Sequence, residues 1–450
     1  MIESITYHGP LISDTSIPGE RKADGIIPAH SGCCRLSENR WLITVATLDP
    51  RGWDSNHSIV YQIRDGGPAG SIIREGLLAS FDDSWDPFRR GDKFSKRLGM
   101  AVPFGVPKGA THSGELLPNE NVFVVKWYHR PFLIRDGKCI STTEVHNPGA
   151  WPGGEEIEAR TLRVDWMQVR LNEAEDDLEI IQPEQTLRQV GYNSDEEFCS
   201  LGPRRQMNHS MVPPIAVDEA CREWIEFDTF TPYDISNTTF GQVAPIRYRF
   251  DEESRLYQWV ETGNLLTVDG WRISESSLIL LDEGDWLIGF RSQTTNDNNL
   301  KYAQLWFRGE DPFAKLSGPW QTPLYPAPRH SYLCPDGVVR IFANEKIDRW
   351  RNPLCSWDVD LETFELKNRH QVVDLRAAGH PFHNPGADMC KLCPTGPGNK
   401  QTLIFRAITL KQTAEPCADP PATPEEHIAA GVHYAEIEYN ESLPDEWNFG

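Results

Sequence analysis

A hairpin pattern that occurs six times constrains the fold of this chain more than any other feature of the sequence. Each copy has a short apolar strand, a polar turn around Asn, Asp or Gly, and a second apolar strand, as in HSGCCRLSENRWLITVAT and ESSLILLDEGDWLIGF. The copies begin at His30, His112, His209, Glu275, His330 and Gly386. Because a long repeat built from strands is typical of a propeller, six copies predict six blades.

In each copy a second hairpin follows the first one, with an acidic or Gly-rich turn, as in YQIRDGGPAGSIIREGLLA. In the sixth copy this hairpin is incomplete: HYAEIEYNESLPDEW supplies a third strand, and ESITYHGPLI at the N-terminus supplies the missing fourth. Pairing of these two ends closes the ring and leaves no long exposed sheet edge. We therefore predict an all-β fold, a six-bladed β-propeller of four-stranded antiparallel blades that is closed by its N- and C-terminal strands.

The length of 450 residues allows either several average domains or one large closed β architecture. The 34 Gly and 34 Pro favour many short strands joined by turns, so we predict one domain over residues 1–450. Long loop insertions rich in Gly, Pro and charge are expected near residues 80–111, 140–160 and 228–245. Since long loops in compact domains are often functional, these segments are candidate walls of a binding cleft.

The net charge of -22 repels the phosphates of nucleic acids and of anionic lipids, so neither is an expected partner. No run of 18 apolar residues and no basic segment followed by an apolar one is present, which predicts neither a membrane span nor a signal peptide. A cytoplasmic protein and a secreted protein that has lost its signal peptide both fit this sequence. The oligomeric state stays open.

The ten cysteines are expected to be reduced and buried, because a chain of this length can bury a core without disulfides. The adjacent Cys33 and Cys34 fit a disulfide framework poorly. Cys390 and Cys393 form a CxxC in a segment that reads as a strand and a turn, but no second CxxC completes a zinc site. We expect no metal and no cofactor.

The repeat alignment places His30, His112, His209, Glu275 and His330 at the same point, just before the first strand of a blade. In a propeller this strand lines the central channel, so equivalent side chains converge on the axis, and Gly386 leaves one side of this ring open. The histidines are spread over the chain rather than held at short ligand spacing, which favours a polar pocket without a metal. The alternative is that these side chains only form hydrogen bonds between blades.

The hairpins resemble those of the sialidase-like propellers, whose blades carry an Asp-box turn and a repeated LPDGRLL hairpin. The resemblance lies in the DGG turn at Asp65–Gly67, in LPNEN, LLDEGDWL and CPDGVV, and in RNPLCSWD from Arg351. It covers most of the chain. It implies a carbohydrate-active enzyme with a glycan or oligosaccharide as its partner.

The resemblance also implies roles for particular residues. Sialidases have an Arg in a Phe/Tyr-Arg-Ile-Pro motif before the first blade, but the matching segment GIIPAH lacks it, which identifies the chain as a divergent member. Arg21 or His30 is the candidate to take the place of this Arg. By the same resemblance, Asp54 in DPRGWDSNHSIVY corresponds to the acid/base, and Tyr332 in PAPRHSYL to the nucleophile, with Arg329 beside it.

Cleavage of a glycosidic bond needs a proton donor and an opposing nucleophile or base, which Asp54 can supply with either Glu275 or Tyr332. Breakage of a uronic-acid linkage by β-elimination instead needs a base and a cation that neutralises the carboxylate. That role fits His30, His112, His330 and Tyr332 with Arg329. The candidate substrate-binding residues are His112, His209, Arg329, Arg21 and Trp53, the last because sugar rings pack on tryptophan.

We therefore expect a glycoside hydrolase that cleaves a terminal sugar from a glycan. A polysaccharide lyase that acts on uronic-acid-containing glycans by β-elimination is the first alternative. The second is a non-catalytic propeller that binds a glycan or a protein, because the fold alone does not define a reaction.

Overall fold

The computed structural model describes most of the chain. The described residues are 1–48, 56–80, 93–98, 101–105, 121–135, 138–139, 163–194, 197–202, 204–208, 212–217, 221–232, 242–281, 284–294, 301–325, 327–345, 351–396, 398–410 and 423–443.

Six antiparallel sheets form the blades of a propeller, each with four strand positions, and in blades 1 to 5 these positions follow one another along the chain. Blade 1 contains β2 (Ile27–Ser37), β3 (Arg40–Leu48), β4 (Asn56–Asp65) and β5 (Ser71–Ser80). Blade 4 contains β17 (Trp271–Leu280), β18 (Trp286–Thr294), β19 (Tyr302–Gly309) and β20 (Ser317–Pro323), and blade 5 contains β21 (His330–Leu333), β22 (Val339–Asn344), β23 (Leu354–Val359) and β24 (Leu366–Val373). The predicted all-β six-bladed propeller is confirmed.

In blades 2 and 3, two short strands together occupy the position of the innermost strand. Blade 2 contains β6 (Lys93–Leu98), β7 (Val102–Gly105), β8 (Phe123–Arg135), β9 (Lys138–Cys139), β10 (Arg163–Leu171) and β11 (Leu178–Thr186). Blade 3 contains β12 (Arg204–Asn208), β13 (Ile215–Ala216), β14 (Glu223–Pro232), β15 (Gln242–Asp251) and β16 (Leu256–Thr262).

Blade 6 joins the two ends of the chain, as predicted. Its strands are β25 (Pro385–Leu392), β26 (Lys400–Thr409), β27 (Gly431–Tyr439) and, outermost, β1 (Ile2–Ile12). The N-terminal strand pairs with β27 from Ile2↔Tyr439 to Ile12↔Val432. A short helix, α1 (Pro424–Ala429), precedes β27, and no helix among the described residues is long and apolar enough to span a membrane.

Of the hairpin predicted to begin at His112, the structure describes only the second strand, β8, because residues 106–120 lie outside the described part of the chain. One edge of β8 pairs with β10, and the start of its other edge pairs with Val102–Gly105. The segment 80–111, expected to be a loop insertion, contains β6 and β7, and residues 228–232 and 242–245 of the expected third insertion belong to β14 and β15. Residues 140–160 lie outside the described part of the chain.

The core lies in layers between neighbouring blades, so both faces of the inner strands are covered. Every residue of β2 is buried for this reason. Four tryptophans are fully buried in these layers: Trp127, Trp224, Trp259 and Trp306. Eight cysteines of the described residues are free and buried: Cys33, Cys34, Cys199, Cys221, Cys334, Cys355, Cys390 and Cys393.

A hydrogen-bonded chain ties the N-terminal strand to the rest of blade 6. The Tyr7 hydroxyl lies 2.7 Å from His380 Nε2 and 2.6 Å from His433 Nδ1. Because His433 Nε2 donates to the Ala429 carbonyl at 2.9 Å, its Nδ1 accepts a hydrogen bond from the Tyr7 hydroxyl. Burial lowers the pKa of His433 to about 4, so this imidazole is neutral in the folded protein.

Lowering the pH from about 6.5 to about 4 is therefore expected to destabilise the closed ring. In this window the unfolded state binds a proton at His433 that the folded state does not, which lowers the free energy of unfolding by roughly 3 kcal/mol. Urea titrations at several pH values measure the effect. His433→Asn should flatten this pH dependence, whereas His8→Asn, which replaces an exposed histidine of β1, should not. An equal slope in both variants would contradict the prediction.

Candidate functional site

Charged and polar side chains from blades 1, 4, 5 and 6 meet along the inner strands, which line the axis of a propeller. We name them the central charged cluster. Its members are His30, Glu275, Arg291, Arg329, His330, Arg351, Asp388, Lys391 and Arg406.

The part of the cluster from blades 4 and 5 contains one carboxylate and two guanidinium groups. Glu275 on β17 accepts a hydrogen bond from Arg291 Nη1 on β18 at 2.5 Å. Arg329 lies just before β21 and is 1% exposed; among the described residues it donates only to the carbonyls of Tyr325 and Ala327, at 3.3 and 3.4 Å. Burial, together with the charge of Arg291, lowers the pKa of Arg329 to about 9. Among the described residues no carboxylate forms an ion pair with Arg329, and its Nη1 has no hydrogen-bond partner.

The part from blades 6 and 1 is built around Asp388 on β25. Its carboxylate accepts from Arg406 Nε at 2.8 Å and Arg406 Nη2 at 2.9 Å, and from Arg351 Nη1. Burial alone would raise the pKa of Asp388, but the two guanidinium groups outweigh it and hold the pKa well below its usual range. Arg406 Nη1 lies 2.5 Å from His30 Nε2. Since a guanidinium only donates, His30 accepts through Nε2 and is neutral.

Besides Arg329, the buried side chains of Lys391 and His330 have polar atoms without a hydrogen-bond partner in the described structure. Lys391 on β25 is 1% exposed and its Nζ is unpartnered, and neither ring nitrogen of His330 has a partner. Burial lowers the pKa of Lys391 to about 7, although Cys390 and Glu275 oppose this shift. Burial, with a further effect of Lys391, holds the pKa of His330 well below 6.5.

β-Bulges in the inner strands help to determine which of these side chains face the axis. Three inner strands are bulged, beside Glu275 in β17, beside His30 in β2, and between Asp388 and Lys391 in β25. In the last bulge Met389 has a φ of 56°, a left-handed conformation that is uncommon for a residue with a side chain. Because a bulge rotates the residues beside it, strands with the same hydrophobic pattern present different side chains to the axis.

The cluster is positively charged in a protein that is strongly negative overall. Its five basic residues are Arg291, Arg329, Arg351, Arg406 and Lys391, against the two carboxylates of Glu275 and Asp388, whereas the whole chain carries a charge of -22. Glu275, Arg291 and Arg351 are 17%, 27% and 18% exposed, so they form the open side of the cluster. The arrangement attracts anions to one place on a protein that otherwise repels them.

Apart from Tyr332, the predicted site residues fall into three groups. His30, Glu275, Arg329 and His330 lie in the cluster. Asp54, Trp53, His112 and His209 lie outside the described residues. Arg21 precedes the short 3₁₀ turn Lys22–Asp24, is half-exposed, and lies 3.8 Å from the carboxylate of Asp24.

Tyr332 lies in the packing layer between blades 5 and 6. Its ring is 4% exposed and packs edge-on against Phe342, and its hydroxyl donates to the Cys390 carbonyl at 3.2 Å. Burial raises the pKa of Tyr332 well above 10. Unlike the unpartnered donors of the cluster, this hydroxyl is already bound to a backbone carbonyl inside the packing layer, so we give Tyr332 no chemical role in the proposals below.

Tyr332→Phe is expected to leave turnover of any substrate within about twofold of the original chain. It should lower the free energy of unfolding by about 1–3 kcal/mol, because the Cys390 carbonyl loses its donor in a buried layer. Kinetics and urea titration on the same preparation measure both effects. If turnover instead fell by roughly two orders of magnitude while the fold stayed intact, Tyr332 would be restored as a nucleophile.

Sequence reasoning missed five members of the cluster: Arg291, Arg351, Asp388, Lys391 and Arg406. One signal was available, since a Phe-Arg pair interrupts the apolar second strand in both IGFRSQ and LIFRAI. The expectation that Gly386 leaves one side open is wrong, because blade 6 contributes Asp388, Lys391 and Arg406. A glycine is needed there for packing: a Cβ on Gly386 would lie 2.4 Å from Leu410 Cγ.

No family model matches this sequence, and no curated protein matches it either. Solved structures share its fold. The NanB sialidase from Streptococcus pneumoniae is similar over 96% of this chain and 71% of that one, with a TM-score of 0.52 and 10% identity. A protein of unknown function from Dyadobacter fermentans is similar over 98% of this chain and 99% of that one, with a TM-score of 0.51 and 10% identity. The chain therefore has the fold of the sialidase-like six-bladed propellers.

Proposed function

We propose that this protein is a glycoside hydrolase that removes a terminal sugar bearing a carboxylate from a glycan. The observation that carries the proposal is the group of three buried, neighbouring side chains, Arg329, His330 and Lys391, with donor atoms that have no partner among the described residues. The similarity of the fold to that of a sialidase supports the carbohydrate class of the substrate.

A carboxylate is the ligand that these donors require. A buried polar group without a partner costs about 1–3 kcal/mol, and a buried charge without a counterion costs more. A carboxylate can accept two hydrogen bonds from a guanidinium and another from an ammonium group. It would also compensate the excess positive charge of the cluster, to which Arg329 contributes without an acidic partner.

Glu275 is the carboxylate best placed to act on the glycosidic bond. It lies on the open side of the cluster, held by Arg291 and beside the donors that would bind the carboxylate of the sugar. In that position a carboxylate can stabilise or attack the positively charged sugar ring that forms as the bond breaks. The proton for the leaving group remains assigned to Asp54, as the sequence resemblance implies.

A lyase is the second candidate, and His330 favours it. Its imidazole is held neutral by burial, has no partner at either nitrogen, and follows Arg329 directly in the chain. A neutral base next to a cation that neutralises a carboxylate is what β-elimination from a uronic acid requires.

Hydrolysis of a matched pair of fluorogenic substrates tests the proposal. A 4-methylumbelliferyl glucuronide and glucoside differ in one carboxylate, and an N-acetylneuraminide adds a second acidic sugar. We expect release from at least one acidic glycoside, at about 10- to 100-fold higher kcat/KM than from the neutral one. Equal cleavage of the neutral glycoside would contradict the proposal that the site recognises a carboxylate on the sugar. An unsaturated product from polyuronic glycans would establish the lyase instead, and binding without turnover would leave a glycan-binding protein.

A further inference from the structure

We propose that Lys391 must be protonated for the central charged cluster to bind its anion, so that the site takes up a proton when the ligand binds. The inference rests on the proposed anion-binding role of the cluster but does not depend on hydrolysis. It makes Lys391 a ligand-binding residue that couples ligand affinity to pH.

The amine of Lys391 is buried, and no group of the described residues accepts a hydrogen bond from it. The residue lies at the bulge of β25, is 1% exposed, and its Nζ has no hydrogen-bond partner in the described structure. Glu275 of β17 and Cys390 of the same strand act on its charge, and Lys391 in turn acts on His330 of β21.

Both carboxylates of the cluster are already paired with arginines. Asp388 is shared between Arg406 and Arg351, and Glu275 is bound to Arg291. No carboxylate of the described residues forms an ion pair with Lys391. A carboxylate brought by a ligand would therefore be a new counterion for this ammonium group rather than a competitor for an existing one.

Burial holds the pKa of free Lys391 at about 7, so near neutral pH both forms of the amine are populated. A carboxylate bound beside it would favour the ammonium form and raise that pKa. By linkage, a ligand that favours the protonated form binds more tightly as the pH falls. Affinity should therefore be about tenfold weaker at pH 8 than at pH 6.

Neighbouring groups with shifted pKa values hold one charge state across this pH range. The pKa of His330 lies well below 6.5, so it is neutral, and that of Asp388 lies well below its usual range, so it is ionised. The pKa of Arg329, about 9, keeps most of this guanidinium charged at pH 8. A pH dependence between 6 and 8 that disappears with Lys391 can thus be assigned to this amine.

Isothermal titration calorimetry of the full chain with glucuronate tests the proposal, with glucose as the neutral matched ligand. Titrations at pH 6 and pH 8, each in two buffers of different ionisation enthalpy, give the affinity and the number of protons taken up. We expect uptake of about 0.1 proton at pH 6 and about 0.9 at pH 8. Lys391→Met, which keeps the length of the side chain, should bind glucuronate equally weakly at both pH values and take up no proton.

Lys400→Met is the matched control, because Lys400 is half-exposed on the neighbouring strand β26 and pairs with Glu436. It should keep the pH dependence of the original chain. Three results would each overturn the inference: binding that is independent of pH, a pH dependence that persists in Lys391→Met, or no binding of glucuronate at pH 6. Turnover of glycosides is measured separately. Proton-linked binding without turnover would contradict the proposed hydrolase but not this inference. Turnover together with pH-independent binding would contradict this inference but not the hydrolase.

Discussion

Glu275→Gln is expected to lower kcat/KM on the acidic glycoside by about 10³-fold, the largest effect on activity that we expect from a single substitution in the described residues. Glutamine keeps the size of the side chain and can still contact Arg291, but it carries no charge and cannot stabilise or attack a positively charged sugar ring. Initial rates with the fluorogenic substrate measure the loss. The fold should survive, because the pair between Glu275 and Arg291 is partly exposed and contributes only about 0–1 kcal/mol.

Glu261→Gln is the matched control for this substitution. Glu261 also pairs with an arginine across two strands, with Arg247 Nε at 2.9 Å, but it lies half-exposed on β16, the outermost strand of blade 3. Its replacement should leave kcat/KM within about twofold. If Glu275→Gln changes KM alone, Glu275 binds the substrate without taking part in bond cleavage. If it changes neither constant, the hydrolase that we propose uses another carboxylate.

The fold could be predicted in large part because its information is local. Each hairpin has two short apolar strands and a turn within about twenty residues, so the hairpins β2–β3, β17–β18, β21–β22 and β25–β26 followed from the pattern. The closing pair of β1 and β27 followed from the count of strands. The strand β7 in the expected loop insertion 80–111 was not predicted, for the opposite reason: it is a short segment that contains Pro and Gly, and its partner β8 begins 18 residues after β7 ends.

The site was less predictable because its geometry depends on contacts between blades. The alignment found His30, Glu275 and His330, which begin or lie within inner strands. It could not find that Arg406 of blade 6 reaches His30 of blade 1, or that Asp388 binds Arg351 of blade 5. β-Bulges make the site still harder to predict, because an extra residue in a strand changes which side chains face the axis without a clear change in the hydrophobic pattern.

Asp388→Asn is expected to lower the free energy of unfolding by about 3–5 kcal/mol, because it leaves two guanidinium groups beside a neutral amide in a buried site. Urea titration at pH 7 measures the loss. The pKa of Asp388 lies well below that of an unfolded aspartate, so its stabilising effect is present above about pH 4 and is lost only as the pH falls below that value. The difference between the two proteins should therefore persist from pH 8 to pH 5.

Two further variants separate the loss of a buried counterion from a general effect of the substitution. Asp285→Asn breaks a pair of the same kind with Arg308, 2.8 Å long, but both side chains are about a third exposed, so the cost should stay near 0–1 kcal/mol. Adding Arg406→Met to Asp388→Asn removes one of the two uncompensated cations and should recover part of the lost stability. A double variant less stable than Asp388→Asn alone would mean that Arg406 stabilises the protein through its contact with His30 rather than through the carboxylate.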